Sequence, residues 1–217
     1  MNARLSGHTL LLVRSLALRL AFITAIVAVQ HSLVAGSPDN PLALKFGGPF
    51  ALVDHAGKMI SDRDFRGRFM LIYFGYTHCP DICPVDLSVL TEAIDIAGSA
   101  GAKVDPVFIT LDPARDTPEL LAKYRNSFHP RLVALSGSET AIAAVAKAYR
   151  VHRRKYIVDQ AHPERYGIDH GSLSYLMGPD GKFLTLIPRG TPAGRIAELI
   201  RKYTSAPATP LEQFQKP

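Results

Sequence analysis

Cysteine is scarce in this chain. Two residues among 217, Cys79 and Cys83, are the whole complement. So few thiols exclude a small scaffold stapled by disulfides. A hydrophobic core must hold the fold, which leaves the thiols free for chemistry. Hydrophobic residues make up 47% of the chain, which excludes a largely disordered protein. The length suits one domain with extensions. Internal repeats and low-complexity basic tracts are both absent. The net charge is +6, yet the densest basic run, Arg153-Arg154-Lys155, has no aromatic-rich stripe beside it. We expect no nucleic-acid partner and read the run as a solvated strand or loop. Attraction to an anionic membrane or an acidic partner fits the charge equally well.

A full-length membrane span is also missing at the N-terminus. The apolar core Leu20–Val29 falls short of the about 20 residues that a span needs. Extended to Ala35 it still contains Gln30 and His31. Three arginines, Arg4, Arg14 and Arg19, precede it, no acidic residue occurs before Gly36, and Val34-Ala35-Gly36 offers a small-residue site. Residues 1–36 therefore read as an export signal or a retained membrane anchor, with the domain on the periplasmic side of a bacterial inner membrane. A soluble periplasmic product after cleavage and a mitochondrial inner-membrane protein are the alternatives. Residues 37–48 read as a linker, 49–204 as the domain and 205–217 as a disordered tail.

Within the domain, Phe50–Val53 and Lys58–Ile60 flank a turn and predict a small hairpin. Phe69–Phe74 (FMLIYF) is a continuous apolar run, as expected of a buried central strand. A loop from Gly75 to Pro84 leads into a helix with an apolar face over Val85–Ala97. Val104–Leu111 and Arg131–Leu135 predict further strands. Thr117-Pro118-Glu119, Ser138-Glu139 and Thr191-Pro192 each open a helix. Val151–Val158 reads as extended, and Gln160 to Asp169 as an irregular polar loop. Leu173–Met177 and Phe183–Ile187 flank Gly178-Pro179-Asp180-Gly181, a strong turn. Strands alternating with helices imply a largely parallel sheet covered on both faces. The closing strands add antiparallel pairs. The expected fold is α/β and thioredoxin-like, a central mixed sheet flanked by helices with an N-terminal β-hairpin.

The cysteines fall where the first long strand ends, the edge at which such sheets place functional groups. Cys79 lies in the loop and Cys83 at the start of the helix, whose unpaired N–H groups favour thiolate over thiol. Side chains at i and i+4 on a helical turn are about 5–6 Å apart. Two sulfurs at that spacing can hold one metal ion or, after modest rearrangement, close a disulfide. The plain alternative is a pair of small buried hydrophobes. Among the histidines, His55 and His129 read as surface residues, and His78 points away from Cys79. His170 leads into a strand expected beside the first long one, which brings its loop towards the cysteines. A Cys₂His set is soft and suits low-coordinate copper. Zinc with water or a second histidine remains open.

Three stretches, FGYTHCPDICP, FITLDPARDTPELLAKY and DHGSLSYLMGPDGKFL, occur in that order. Together they resemble the SCO/SenC family of thioredoxin-fold copper chaperones for cytochrome c oxidase assembly, over roughly Pro49 to Tyr203. The resemblance implies that Cys79, Cys83 and His170 bind copper as Cu(I) or Cu(II). It implies that Asp169 supports His170 and that Asp81 tunes the cysteines or meets a partner. It also implies service to cytochrome c oxidase subunit II, by copper delivery or by reduction of that subunit's cysteines. Other copper chaperones or thiol reductases would act upstream, and the membrane would be met through the N-terminal segment. We expect a metallochaperone and not a turnover enzyme. The alternative is a thiol–disulfide oxidoreductase without a stable copper role. Against it stand a spacing looser than C-x-x-C and the lack of a proline before Leu173.

Overall fold

The computed structural model describes residues 46–205. The expected signal or anchor at 1–36, most of the linker and nearly all of the tail lie outside the described residues. Among the described residues, no helix is long and apolar enough to cross a membrane.

The chain opens with β1 (Ala51–Asp54) and β2 (Met59–Ser61), an antiparallel hairpin. The Asp54 carboxylate accepts from the amides of Ala56 and Lys58, and Gly57, at φ +81°, takes the left-handed step of the turn. Then follow β3 (Phe69–Gly75), α1 (Ile82–Ala97), β4 (Val104–Thr110), α2 (Pro118–Arg125), β5 (Val133–Ser136) and α3 (Glu139–Ala148). The chain continues through β6 (Arg153–Ile157), β7 (Tyr166–His170), β8 (Ser174–Met177), β9 (Phe183–Ile187) and α4 (Ala193–Ser205). Seven strands form one mixed sheet in the order β2-β1-β5-β4-β3-β8-β9. β3, β4 and β5 are parallel, and β8 lies antiparallel to β3 with Tyr73 opposite Ser174. The expected thioredoxin-like α/β sheet with its N-terminal hairpin is the fold observed.

Local chemistry explains most elements. Leu71, Ile72, Tyr73 and Phe74 of β3 are all buried, because helices cover both faces of the central strand. The Thr117 hydroxyl caps α2 by accepting from the Leu120 amide, and the Ser138 hydroxyl caps α3 from Ala141. Leu87, Leu90 and Ile94 of α1 are buried, and α1 packs against α4 through the buried stripe Ile196, Ala197 and Ile200. Burying each of these larger side chains contributes roughly 1.5–3 kcal/mol.

Three features differ from the sequence pattern. α1 starts at Ile82, ahead of Val85, because Pro84 sits in the first turn, where a missing N–H breaks no helical bond. Phe46 and Gly47, in the expected linker, pack into the fold: Phe46 lies 4.9 Å from the Phe183 ring, and the Gly47 amide donates to Ala148. Finally, the expected irregular loop Gln160–Asp169 contains a strand. β7 pairs with β6 in a separate two-stranded sheet, Arg153 opposite His170. The polar composition there gave no local strand signal, and pairing with β6 decides the conformation.

Candidate metal centre

β3 ends at Gly75, and the chain turns so that the Cys79 amide donates to the Tyr76 carbonyl at 3.2 Å. α1 then begins with Cys83 in its first turn. Cys79 is half-buried at the rim and Cys83 is fully buried beneath it, both as free thiols. The Cys83 amide donates to the Cys79 sulfur at 3.4 Å. Gly75 leaves the space for the inner sulfur, since a Cβ there would stand 3.1 Å from Cys83 Sγ.

His170 ends β7 and reaches the same point. Its Nε2 lies 3.5 Å from Cys83 Sγ, across 87 positions of sequence. Its Nδ1 stands 3.0 Å from the Gly171 carbonyl. A proton on Nδ1 donated to that carbonyl leaves the Nε2 lone pair facing sulfur. The Tyr76 ring meets the imidazole edge-on at 6.0 Å between centroids. For zinc, bonds of about 2.3 Å to sulfur and 2.0 Å to nitrogen at a tetrahedral angle set the two ligands about 3.5 Å apart. The inner thiol and the imidazole stand at that separation. Among the described residues, no group of three His, Cys, Asp or Glu side chains is placed to hold a metal ion.

The two thiols differ electrostatically. The Cys83 thiol donating to Cys79, and then the amides of Cys83, Asp81 and Ile82 at the helix start, pull Cys79 down to about 5. The same thiol–thiol bond, reinforced by burial, pushes Cys83 far above the ordinary thiol range. The outer thiol is thus the more acidic of the pair. Nearby, the Tyr73 hydroxyl donates to Asp86 at 3.2 Å, and burial raises both groups.

Of the two expected supporting acids, Asp169 lies elsewhere and Asp81 lies beside the cysteines. Asp169 does not touch His170, because successive residues of a strand point to opposite faces. Its carboxylate faces Arg154 at 3.3 Å and His152 at 3.6 Å, and the Gly171 carbonyl takes the orienting role. Asp81 is exposed at the N-cap of α1 and makes no side-chain capping bond. It lines a cleft of about 530 Å³ with Tyr76, Cys79, Tyr156 and His170. His129 is buried and not a surface residue. Its Nδ1 accepts from the Arg131 amide and its Nε2 lies 3.3 Å from Asp95. His55 is half-buried.

One further acid, read from the sequence as shaping the loop after the second strand, also holds the cysteine loop. Asp116 is fully buried under the cysteine loop. Its carboxylate accepts from the Thr77 amide at 3.0 Å, the Thr77 hydroxyl at 2.6 Å and the Thr110 hydroxyl at 2.5 Å. An Asp-Thr-Pro string signals only a helix start, and nothing local to it points at a loop 39 positions away.

Residues 38–205 match the family model described as SCO1/SenC. Protein sco1 of Schizosaccharomyces pombe is 42% identical over 160 residues, 73% of this chain and 61% of that protein. The human mitochondrial SCO1 homologue is 42% identical over 156 residues, so the chain spans about half to three fifths of these curated relatives. The structure of Bradyrhizobium japonicum ScoI with copper bound superposes at a TM-score of 0.66 with 40% identity, covering 73% of this chain and 99% of that one. The structure of BsSco, a Sco-family cytochrome c oxidase assembly protein in which a disulfide switch was identified, superposes at 0.59 with 25% identity. That match covers 75% of this chain and 96% of BsSco.

Proposed function

The chain belongs to the SCO1/SenC family, and from that premise we propose a copper-binding metallochaperone that assists assembly of the binuclear copper site of cytochrome c oxidase subunit II. Copper is its cargo, held by Cys79, Cys83 and His170. The observation that carries the reading is the 3.5 Å approach of His170 Nε2 to Cys83 Sγ. Two sulfurs and one imidazole form a soft, low-coordinate donor set that suits Cu(I), and the imidazole also accepts Cu(II). Cys79 stands at the rim of the cleft, so an incoming thiolate can displace the ligands one at a time. An exported domain tethered by residues 1–36, on the periplasmic side of an inner membrane or in the mitochondrial equivalent, would meet that subunit where its copper site assembles.

The unequal thiols favour a second act at the same site, reduction of a partner's disulfide. The Cys79 thiolate attacks one sulfur of the partner disulfide, forms a mixed disulfide and releases a partner thiolate. Cys83 then gives up its proton and attacks Cys79 sulfur, which releases the second partner thiolate and leaves Cys79–Cys83 oxidised. The disulfide switch of BsSco supports this cycle. A thiol reductase would restore the dithiol.

The test is an anaerobic Cu(I) titration of the reduced chain against a competing chelator, with His170→Ala alongside. One tight equivalent that weakens sharply in the variant is expected. Weak binding, or binding indifferent to His170, would leave thiol exchange as the function.

A further inference from the structure

We infer that Arg153, the first residue of the basic run Arg153-Arg154-Lys155, forms with Glu139 a clamp that sets the position of His170. The inference rests on the copper reading above. His170 is carried by the two-stranded sheet β6–β7, which makes no backbone ladder with the seven-stranded sheet. An isolated two-stranded ribbon is marginal in water, so side-chain contacts must fix where this arm sits.

Arg153 lies directly opposite His170 in the β6–β7 register. Its side chain is only 21% exposed, and all three guanidinium nitrogens are engaged. Nε donates to the Leu111 carbonyl at 2.6 Å, one terminal nitrogen donates to Glu139 Oε2 at 2.9 Å, and the other donates to Glu139 Oε1. Leu111 follows β4, and Glu139 is the first residue of α3. One planar fork thus ties the arm to the sheet edge and to a helix. A lysine could not reproduce it, having no rigid set of donors.

The other two cations of the run are exposed and meet partners on the arm. Lys155 Nζ lies 3.4 Å from the centroid of the Tyr166 ring, and Arg115 lies 3.6 Å from it. The Tyr166 hydroxyl donates to Asp112 at 2.8 Å, and Arg154 pairs with Asp169. Only Ile168 gives the arm a fully apolar anchor. The position of His170 is therefore held mainly by polar contacts that the Arg153 fork centres on.

The experiment uses the full reduced chain and Cu(I) with a competing chelator, for the wild type, Arg153→Met, Glu139→Gln, His170→Ala and the Arg153→Met/His170→Ala pair. Outer groups that orient a ligand commonly weigh about 10–100-fold in metal affinity. Arg153→Met and Glu139→Gln should each weaken copper binding about tenfold, and the Arg153→Met effect should shrink to under about twofold once His170 is gone. In the metal-free protein, amide exchange of Tyr166–His170 should accelerate in Arg153→Met while β3 stays protected. Should Arg153→Met fail to fold, the milder Glu139→Gln carries both readouts. Wild-type affinity in both clamp variants, or an undiminished Arg153→Met loss without His170, overturns the clamp. If the wild type itself binds no copper, the copper reading fails, and unchanged exchange at Tyr166–His170 would sink the clamp independently.

Discussion

Cys79 and Cys83 share a side chain and differ in everything their surroundings control. Cys79 collects the helix-start amides and the neighbouring thiol's hydrogen, whereas Cys83 is fully buried beside Gly75 and Tyr73. Alkylation of Cys79 by iodoacetamide should therefore stay rapid down to about pH 5, where an ordinary thiol would have slowed near pH 8.5. The linkage has a definite sign. A folded-state pKa below the unfolded value adds stability that is present above the unfolded pKa and lost as pH falls through the folded one. Lowering the pH from about 8.5 to about 5 should reduce the urea midpoint of the reduced, metal-free chain, and more so than in Cys79→Ser. An equal slope in both proteins would refute the depressed thiol. Gly75→Ala should cost about 1–3 kcal/mol in urea unfolding and perturb Cys83 oxidation, because the added methyl meets Tyr73, Cys83 and Phe108 at 3.0–3.1 Å.

At the scale of elements, the loop between β3 and α1 is shaped by a carboxylate from another segment. Asp116 holds both the amide and the hydroxyl of Thr77, fixing the approach to Cys79. Asp116→Ala would strand those donors and the Thr110 hydroxyl in a buried site. An unsatisfied buried group costs about 1–3 kcal/mol, so urea denaturation should show a loss of about 3 kcal/mol or more. A loss under about 1 kcal/mol would mean that water replaces the carboxylate and that the loop holds itself. The arm β6–β7 is the counterpart on the other side of the cleft, and it too depends on contacts distant in sequence.

For the whole molecule, copper would join two parts that the sheet does not connect, the cysteine loop and the arm. Ligand binding to the native state alone stabilises it by about 4 kcal/mol when the free ligand is a thousandfold above Kd. For a domain of this size that corresponds to a Tm rise of roughly 8–16 °C. Thermal unfolding of the copper-loaded, reduced chain should show a rise of that order, with much of it lost in His170→Ala. An unchanged Tm with copper demonstrably bound would mean that the unfolded chain holds the metal equally well through its thiols.

Much of this was legible along the chain, because it depends on neighbours within a few residues. FMLIYF announced a buried strand, Thr117-Pro118 and Ser138-Glu139 announced helix starts, and the C-x-x-x-C stretch after a strand announced the cysteine site. Burial of a strand, satisfaction of a helix start and the spacing of two thiols are all local properties. Tertiary structure alone decided the rest. It set Asp169 away from His170, made a strand of Tyr166–His170, buried His129 against Asp95 and tied Arg153 to the Leu111 carbonyl. Each of these depends on which segment arrives from far along the chain to accept a hydrogen bond or cover a surface, and residue spacing carries no record of that arrival.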